Sequence, residues 1–356
     1  MQIKYNTDCR HFRGDLPCKP HKENNVHCED CQFYDKTDGK ILIIKFGAIG
    51  DVIRTTPLLK RFREVMPSKE IWWITQYPDI LPNNKIDKIL TLSIENFILL
   101  KEIKFDKIYS LDKDNFACAL CNQLISYEKY GYGLLNGKPA PIRQSAEHKY
   151  FTGLFDDINK ENKKSYLEEV FELCELKFNY EEYELDVDTS IKWDIPSDGK
   201  KIIGLNTGCG DRWKSRLWSD ENWIKLIELL KQNGYYPLLL GGKQENEKNK
   251  FLSAQTGALY LGEYPLKHFI SLMNECDGIV SAVTMGMHIA IGLKKPLILM
   301  NNIFNPYEFE LYGRGEIIQP SKECKCFFSP NCKNDEYFCM DHILPVSIFE
   351  AVKRKI

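Results

Sequence analysis

The sequence lacks a long apolar run and an excess of either charge. No stretch of about 18 apolar residues occurs, which predicts that no helix crosses a membrane. The opening MQIKYNTDCRHF contains no apolar run typical of a signal peptide. A net charge of -2 gives no general attraction to nucleic acid. We therefore expect a cytoplasmic protein that does not bind nucleic acid, and contact with the inner face of the membrane stays open.

The composition otherwise fits a globular protein of two domains. The chain has 356 residues, of which 43% are hydrophobic and 28% are charged. It also has 13 cysteines, a high count for a chain that lacks a secretory signal. Disulfides are then not the first explanation, and eight of these cysteines fall in two groups near the ends of the chain.

Short apolar runs alternate with helical patterns in two successive blocks. This order predicts α/β domains with parallel sheets. In the first block we predict strands at 40–46, 70–75 and 105–112 and helices at 57–67 and 117–125. In the second block we predict strands at 201–208, 236–242, 277–283 and 295–302 and helices at 219–234, 268–276 and 286–293.

Four consecutive segments follow from this pattern. They are a cysteine-rich segment at 1–39, a Rossmann-like domain at 40–185, a second Rossmann-like domain at 186–340 with a cysteine-rich end, and a terminal helix at 341–356. The stretch 130–199 is less regular, apart from an amphipathic helix predicted at 165–178. Ligands of such sheets bind at the carboxyl ends of strands, so we expect a cleft between the two domains.

A glycine-rich turn follows the first predicted strand, in KFGAIGDVIRTTP. Gly47 and Gly50 permit a close approach of the backbone, and the start of the next helix favours an anion. Asp51 lies at that helix start, where it is either a helix cap or a general base. The spacing is neither G-x-G-x-x-G nor that of a P-loop, so neither of those nucleotide motifs applies.

Three blocks in order resemble glycosyltransferase family nine, the ADP-heptose:lipopolysaccharide heptosyltransferase family. They are ILIIKFGAIGDVIRTTPLLKRFREVMPSKEIWWIT, IIGLNTGCGDRWKSRLWSDENWIKLIELLKQNGYYPLLLGG and SAVTMGMHIAIGLKKPLILMNN. The resemblance implies a GT-B fold, in which two Rossmann-like domains flank the active site. It implies inverting transfer of a heptose from ADP-heptose to a sugar hydroxyl, without a catalytic cofactor or nucleotide-bound metal. Asp51 matches the general base of the family.

The same resemblance places the donor against the second domain. A basic residue before a tryptophan would neutralise the departing diphosphate, and Arg216 or Lys214 matches it. Backbone amides at a strand-to-helix junction would hold the phosphates. The candidate donor-binding residues are Thr207, Gly208, Lys214, Arg216, Thr284, Met285, Gly286 and His288. His288 is equally well read as a packed helix residue. The family usually has an acid where Val283 stands, and its loss leaves the identity of the donor open.

Acceptor recognition is expected in the first domain. Arg54 and Arg61 are seven positions apart, and we expect them to share one face of a helix. They would then meet an anionic glycan or glycolipid acceptor, such as a lipopolysaccharide core. An ordinary charged helix face explains the same pattern.

The two cysteine groups suggest structural metal sites. The first is Cys9, Cys18, Cys28 and Cys31, and the second is Cys324, Cys326, Cys332 and Cys339. Four thiolates suit zinc or iron, and a segment without a core needs such a staple. The spacings match no standard zinc finger, so free or disulfide-bonded cysteines remain the alternative. Some family members that modify proteins carry a cysteine-bound iron near the C-terminal end, which implies iron for the second group.

These observations together predict an inverting glycosyltransferase that modifies a cell-surface glycan. Asp51 would deprotonate the acceptor hydroxyl, and Arg216 with the amides near Thr284 would stabilise the leaving group. Two alternatives remain at this point. One is a catalytically silent nucleotide-sugar-binding or scaffold protein, and the other is a sugar-nucleotide epimerase of similar architecture.

Overall fold

Parallel strands form the centre of each of two structural units. The computed structural model describes residues 4–210 and 213–356. The first unit contains residues 4–47, 57–147 and 173–175, and the second contains 48–56, 148–172 and 176–356. The units therefore alternate along the chain, and the segment that carries Asp51 belongs to the second unit. The four consecutive segments described above stay a prediction.

The elements confirm the α/β class. The strands are β1 Gly39–Ile44, β2 Lys69–Ile74, β3 Lys88–Leu90, β4 Lys104–Ser110, β5 Ile125–Leu135, β6 Lys138–Pro141, β7 Ile202–Asn206, β8 Tyr236–Leu240, β9 Gly278–Ala282, β10 Leu297–Met300 and β11 Gly315–Ile318. The helices are α1 Lys19–Asn24, α2 Ile49–Ile53, α3 Pro57–Val65, α4 Ile94–Lys101, α5 Asn115–Gln123, α6 Glu147–Thr152, α7 Asp156–Glu161, α8 Tyr166–Leu173, α9 Asp220–Gln232, α10 Asn246–Thr256, α11 Leu266–Asn274, α12 Met285–Gly292 and α13 Pro345–Lys355.

The sheet of the first unit has the order β3-β2-β1-β4-β5-β6. Its strands are parallel except for β5 and β6, which pair antiparallel. In β1, residues 41–44 are fully buried because helices cover a parallel sheet on both faces, which explains the unbroken apolar run. The strand order reverses between β1 and β4, so the carboxyl ends of these two strands define a topological switch point.

The sheet of the second unit has the order β11-β10-β9-β7-β8, and its strands are all parallel. Its core combines Trp218 and Trp223 with Leu226 and other apolar side chains, all at most 5% exposed. Here the order reverses between β7 and β9, so the second switch point lies where these two strands end. This point positions the candidate site.

One arginine of the N-terminal segment makes several contacts within the first unit. Arg10 donates to Asp87 and to Asp35, each at 2.9 Å, and to the carbonyl of Pro67 at 2.9 Å. Asp87 also accepts from Arg63 at 2.8 Å. A single bridge pairs Cys9 with Lys36. The segment thus has defined attachments although it contains little regular structure.

Within the part of the chain that the structure describes, no helix has both the length and the hydropathy needed to cross a membrane. The longest of these helices, α9, has 13 residues. Residues 183–200 contain neither helix nor strand.

Candidate functional site

The glycine-rich turn begins with a buried ion pair. Lys45 pairs with Asp112, and the same carboxylate accepts from the backbone N–H of Phe46 and, at 2.9 Å, of Gly47. Asp112 follows β4, so it occupies the switch point of the first sheet. No sequence motif marks this aspartate, which is the last residue of the strand predicted at 105–112.

Helix α2 ends early because two threonines compete for its last carbonyls. The hydroxyl of Thr55 donates to Val52 O at 2.8 Å, and that of Thr56 to Ile53 O at 2.7 Å. Pro57 also disfavours a helical conformation in the residue before it. A separate helix, α3, starts at Pro57. Arg54 therefore lies at the end of α2 and Arg61 in α3, which corrects the expectation that the two share the face of one helix.

Arg54 is buried between two carboxylates. Its Nη2 lies 2.7 Å from Asp51 Oδ1, and its Nη1 lies 3.0 Å from Glu308 Oε1. Its Cζ lies 3.4 Å from the ring centroid of Tyr166. Burial opposes the charge, but Asp51, Tyr166 and Glu308 outweigh burial and raise the pKa of Arg54. The side chain of Asp51 keeps 35% exposure. The arrangement orients Asp51 and leaves it accessible.

Gly50 allows α2 to approach α12 closely. A Cβ at this position would lie 2.5 Å from Cδ2 of His288, which is too close for any real contact. Glycine is required here by the packing of two helices within the second unit. His288 is 7% exposed, and burial lowers its pKa to about 3, with a further contribution from Arg54. The imidazole is therefore neutral at working pH and is unsuited to acid–base chemistry.

At the second switch point, a buried arginine joins the ends of β7 and β9. Arg216 donates to the carbonyl of Val283 and, at 3.1 Å, to that of Cys209. Within the described residues, no carboxylate forms an ion pair with it, and burial lowers its pKa to about 10. The side chain is 8% exposed. A cation held only by carbonyls retains its affinity for an anion.

Helix α12 begins directly beside this cation. Thr284 caps the helix, because its hydroxyl accepts from Gly286 N at 3.1 Å, and it also accepts from Asn206 at 3.0 Å. A Cβ on Gly286 would lie 2.8 Å from the amide nitrogen of Asn206. Met285 is the first residue of the helix. The positive end of the helix dipole and Arg216 therefore favour negative charge at one place.

The other residues that were predicted to bind the nucleotide-sugar donor follow β7 closely in the sequence. Thr207 is buried and donates to Asn249 at 2.6 Å. Gly208 lies against Glu245, since a Cβ on it would be 2.0 Å from Oε1 of that carboxylate. Lys214 is exposed, in contrast to Arg216. Sequence reasoning missed Glu245 and Asn249, which follow the paired glycines after β8.

The C-terminal cysteines form a cluster. The sulfur atoms of Cys324, Cys326 and Cys339 lie within 4.8 Å of one another, and Cys332 Sγ is 3.8 Å from Cys326 Sγ. The sulfurs of Cys339 and Cys324 are 3.1 Å apart, and the thiol of Cys324 lowers the pKa of Cys339. Two N–H donors, from Lys333 and Asn302, point at sulfurs. This donor set fits a tetrahedral metal, with hydrogen bonds that orient the ligands.

The N-terminal cysteines are arranged differently. In residues 4–210 and 213–356, the group with metal-binding geometry consists of Cys324, Cys326 and Cys339. Cys9, Cys18, Cys28 and Cys31 do not belong to such a group. Cys9 is buried, and the other three are half-buried. A metal site at these four positions stays a prediction.

Comparisons with solved structures support the fold. The chain is similar to the family 9 glycosyltransferase of Veillonella parvula DSM 2008, with 16% identity, a TM-score of 0.66, and coverage of 89% of this chain and 97% of that one. For E. coli heptosyltransferase WaaC with ADP, the identity is 14%, the TM-score 0.63 and the coverage 89% and 100%. For the iron-containing dodecameric glycosyltransferase TibC of E. coli H10407, the values are 12%, 0.55, 90% and 76%.

The family assignment rests on the sequence itself. No curated protein matches the chain. The model of glycosyltransferase family 9 (heptosyltransferase) matches residues 143–337, which is more than half of the chain and includes β7 to β11. This match favours sugar transfer over epimerisation. The chain therefore belongs to glycosyltransferase family 9.

Proposed function

We propose that the protein transfers a sugar, most simply a heptose, from a nucleoside diphosphate sugar to a hydroxyl of a cell-surface glycan. The observation that carries this proposal is the position of Arg216. This buried cation, without a carboxylate among the described residues, joins the ends of β7 and β9 next to the start of α12. A diphosphate supplies the two negative groups that such a site favours.

Asp51 is the general base in this proposal. Its carboxylate accepts the proton of the acceptor hydroxyl while the oxygen attacks the anomeric carbon. The bond from that carbon to the diphosphate breaks, and the nucleoside diphosphate leaves with the bonding electrons from the opposite face, which inverts the centre. Arg216 stabilises the negative charge that develops on the leaving group.

Helix packing links Asp51 to the helix start that lies beside Arg216. Asp51 lies on α2, whose Gly50 contacts His288 of α12, and Thr284 caps the same helix four residues earlier. Both parts of the proposed machinery therefore contact one helix of the second unit. Arg54, which is itself paired with Glu308, holds the carboxylate of Asp51, so we assign Arg54 first to this positioning role and keep acceptor binding as a prediction.

A residue that the sequence analysis missed fits the same proposal. Glu245, which accepts from Gly242 N at 3.0 Å, stands near Gly208 and offers acceptors for the hydroxyls of a ribose. ADP-heptose is our first choice of donor because E. coli WaaC was solved with ADP.

A metal at Cys324, Cys326, Cys332 and Cys339 would have a structural role, since four protein ligands leave no open position. Iron is our first choice because TibC contains iron.

The test combines turnover with nucleotide binding. Asp51→Asn should reduce transfer from ADP-heptose by about 100-fold or more and leave ADP affinity close to that of the wild type. Arg216→Met should weaken ADP binding by about 100-fold, because it removes a charged donor from a buried site. Lys214→Met separates the two candidate cations, and its exposure predicts a smaller effect.

A different pattern would exclude this mechanism. Unchanged turnover in Asp51→Asn would remove this residue from the reaction. Turnover that is absent in the wild type with every nucleotide sugar tested, together with intact binding, would favour the silent binding protein. Product formation without any acceptor would favour an epimerase.

A further inference from the structure

Asn302 connects the cysteine cluster to the turn that carries Arg216. Its amide nitrogen donates to the carbonyl of Ser215 at 2.8 Å and lies 3.2 Å from the sulfur of Cys339. An amide NH₂ group has two hydrogens, so both bonds form at once. One side chain thus touches a cluster sulfur and the residue directly before Arg216.

The turn has further attachments to the cysteine-rich segment. Ser215 N donates to Pro330 O at 3.0 Å, and the hydroxyl of Ser215 donates to Ser329 O at 2.6 Å. Ser329 N in turn donates to Cys326 O at 2.9 Å. Ser215 is 1% exposed, so water does not compete for these bonds.

Arg216 depends on this support for its position. Its own N–H closes the turn on Trp213 O at 3.1 Å. The guanidinium carbon lies 5.5 Å from the ring centroid of Phe304, and that ring packs edge-on against Phe328 at 5.1 Å. A displacement of the cysteine-rich segment therefore moves both the turn and the aromatic wall beside Arg216.

We propose that Asn302 is a positioning residue that couples metal binding at the cysteine cluster to binding of the donor diphosphate. The inference rests on the proposed function, because it assumes that Arg216 contacts the diphosphate. The four cysteines would hold the metal, and Cys339 would then be fixed in place. Cys339 orients the amide of Asn302, and that amide holds the carbonyl of Ser215 in position. By linkage, a bound nucleoside diphosphate strengthens metal retention by the same factor.

The experiment uses ADP as the probe and calorimetry as the readout. Wild-type protein that retains its metal, as shown by elemental analysis, is titrated with ADP. The titration is repeated after chelation. We expect chelation to weaken ADP binding about tenfold. In Asn302→Leu, which keeps the shape but removes both donors, ADP binding is already about tenfold weaker, and chelation adds little.

Asn159→Leu is the matched control. Asn159 is also half-buried in the second unit, and its amide nitrogen donates to the carbonyl of Thr152 at 2.8 Å. Among the described residues, its side chain has no hydrogen bond to the cluster or the turn, and the substitution keeps the backbone carbonyl that accepts from Asn305. We expect wild-type ADP affinity and wild-type sensitivity to chelation from this variant, so that a general loss of stability is separated from a loss of coupling.

The reciprocal measurement covers the case in which the stripped protein unfolds, as judged by circular dichroism. The loaded protein then competes with a chromogenic chelator, with and without ADP. At equilibrium, ADP should raise the affinity of the wild type for its metal about tenfold and should have little effect in Asn302→Leu. Equal ADP affinity of the loaded and stripped wild type, or full coupling in Asn302→Leu, would overturn the inference. Normal ADP binding by Arg216→Met would instead overturn the proposed function.

Discussion

The buried histidine of α12 gives a stability that depends on pH. The pKa of His288 is about 3 in the folded protein, against an ordinary value of 6.5. Between these two values the unfolded chain binds a proton that the folded chain does not bind. Stability from this group is therefore complete above pH 6.5 and is lost as the pH falls toward 3. The loss is about 1.4 kcal/mol for each pH unit, so it reaches about 2 kcal/mol at about pH 5.

Urea unfolding of the wild type and of His288→Gln measures this effect. Glutamine does not titrate, and the other ionisable groups are common to both proteins, so their contributions cancel in the comparison. Between about pH 8 and about pH 5, the free energy of unfolding of the wild type should fall by about 2 kcal/mol more than that of the variant. Equal losses in the two proteins would show that His288 titrates normally and is not buried as described.

Three further perturbations test the contacts around the site. Gly50→Ala should lower the free energy of unfolding by about 1–3 kcal/mol and slow transfer, because its Cβ would lie 2.5 Å from His288. Calorimetric melting and turnover assays measure these effects. A neutral result would contradict the packing of α2 on α12. Glu308→Gln removes one partner of Arg54 and should lower the free energy of urea unfolding by about 1–3 kcal/mol. It should reduce turnover less than Asp51→Asn does. Turnover as low as in Asp51→Asn would make Glu308 part of the chemistry. Cys326→Ser should lower the metal content and the melting temperature. Cys276 is a buried cysteine outside the cluster, so Cys276→Ser should retain the metal. Equal metal loss in the two variants would argue against a site at the cluster.

Strands were predictable where both faces of the sheet are covered. The run at 40–46 predicted β1 because a buried parallel strand is apolar at every position. The strands β5 and β6 were missed, since β5 alternates charged, aromatic and glycine residues and carries no such run. Helix α8 is shorter than the predicted 165–178, because Glu175 has a positive φ of 56° that ends the helical path.

The candidate site was predictable where a residue belongs to a local motif. Asp51 and Arg216 stand in quoted family blocks, and the structure brings Arg216 to the carbonyl of Val283, 67 positions further along the chain. For Glu308 and Asn302, the position after a strand end suggests only contacts to hydroxyls of the donor, and it does not predict the partners that they have in the structure. Their partners are Arg54 in one case and Ser215 with Cys339 in the other, and these pairings arise only from tertiary folding.

The attachment of the N-terminal segment through Arg10 has a practical consequence for anyone who shortens this protein. Removal of the residues before β1 would delete the guanidinium that neutralises Asp87. That carboxylate would keep Arg63 and the backbone N–H of Ile71, yet it would lose its bidentate partner beside the edge strand β3. A trimmed version is thus expected to fix the edge strand β3 less firmly, so crystallisation or engineering of this enzyme should begin from the chain that includes Arg10.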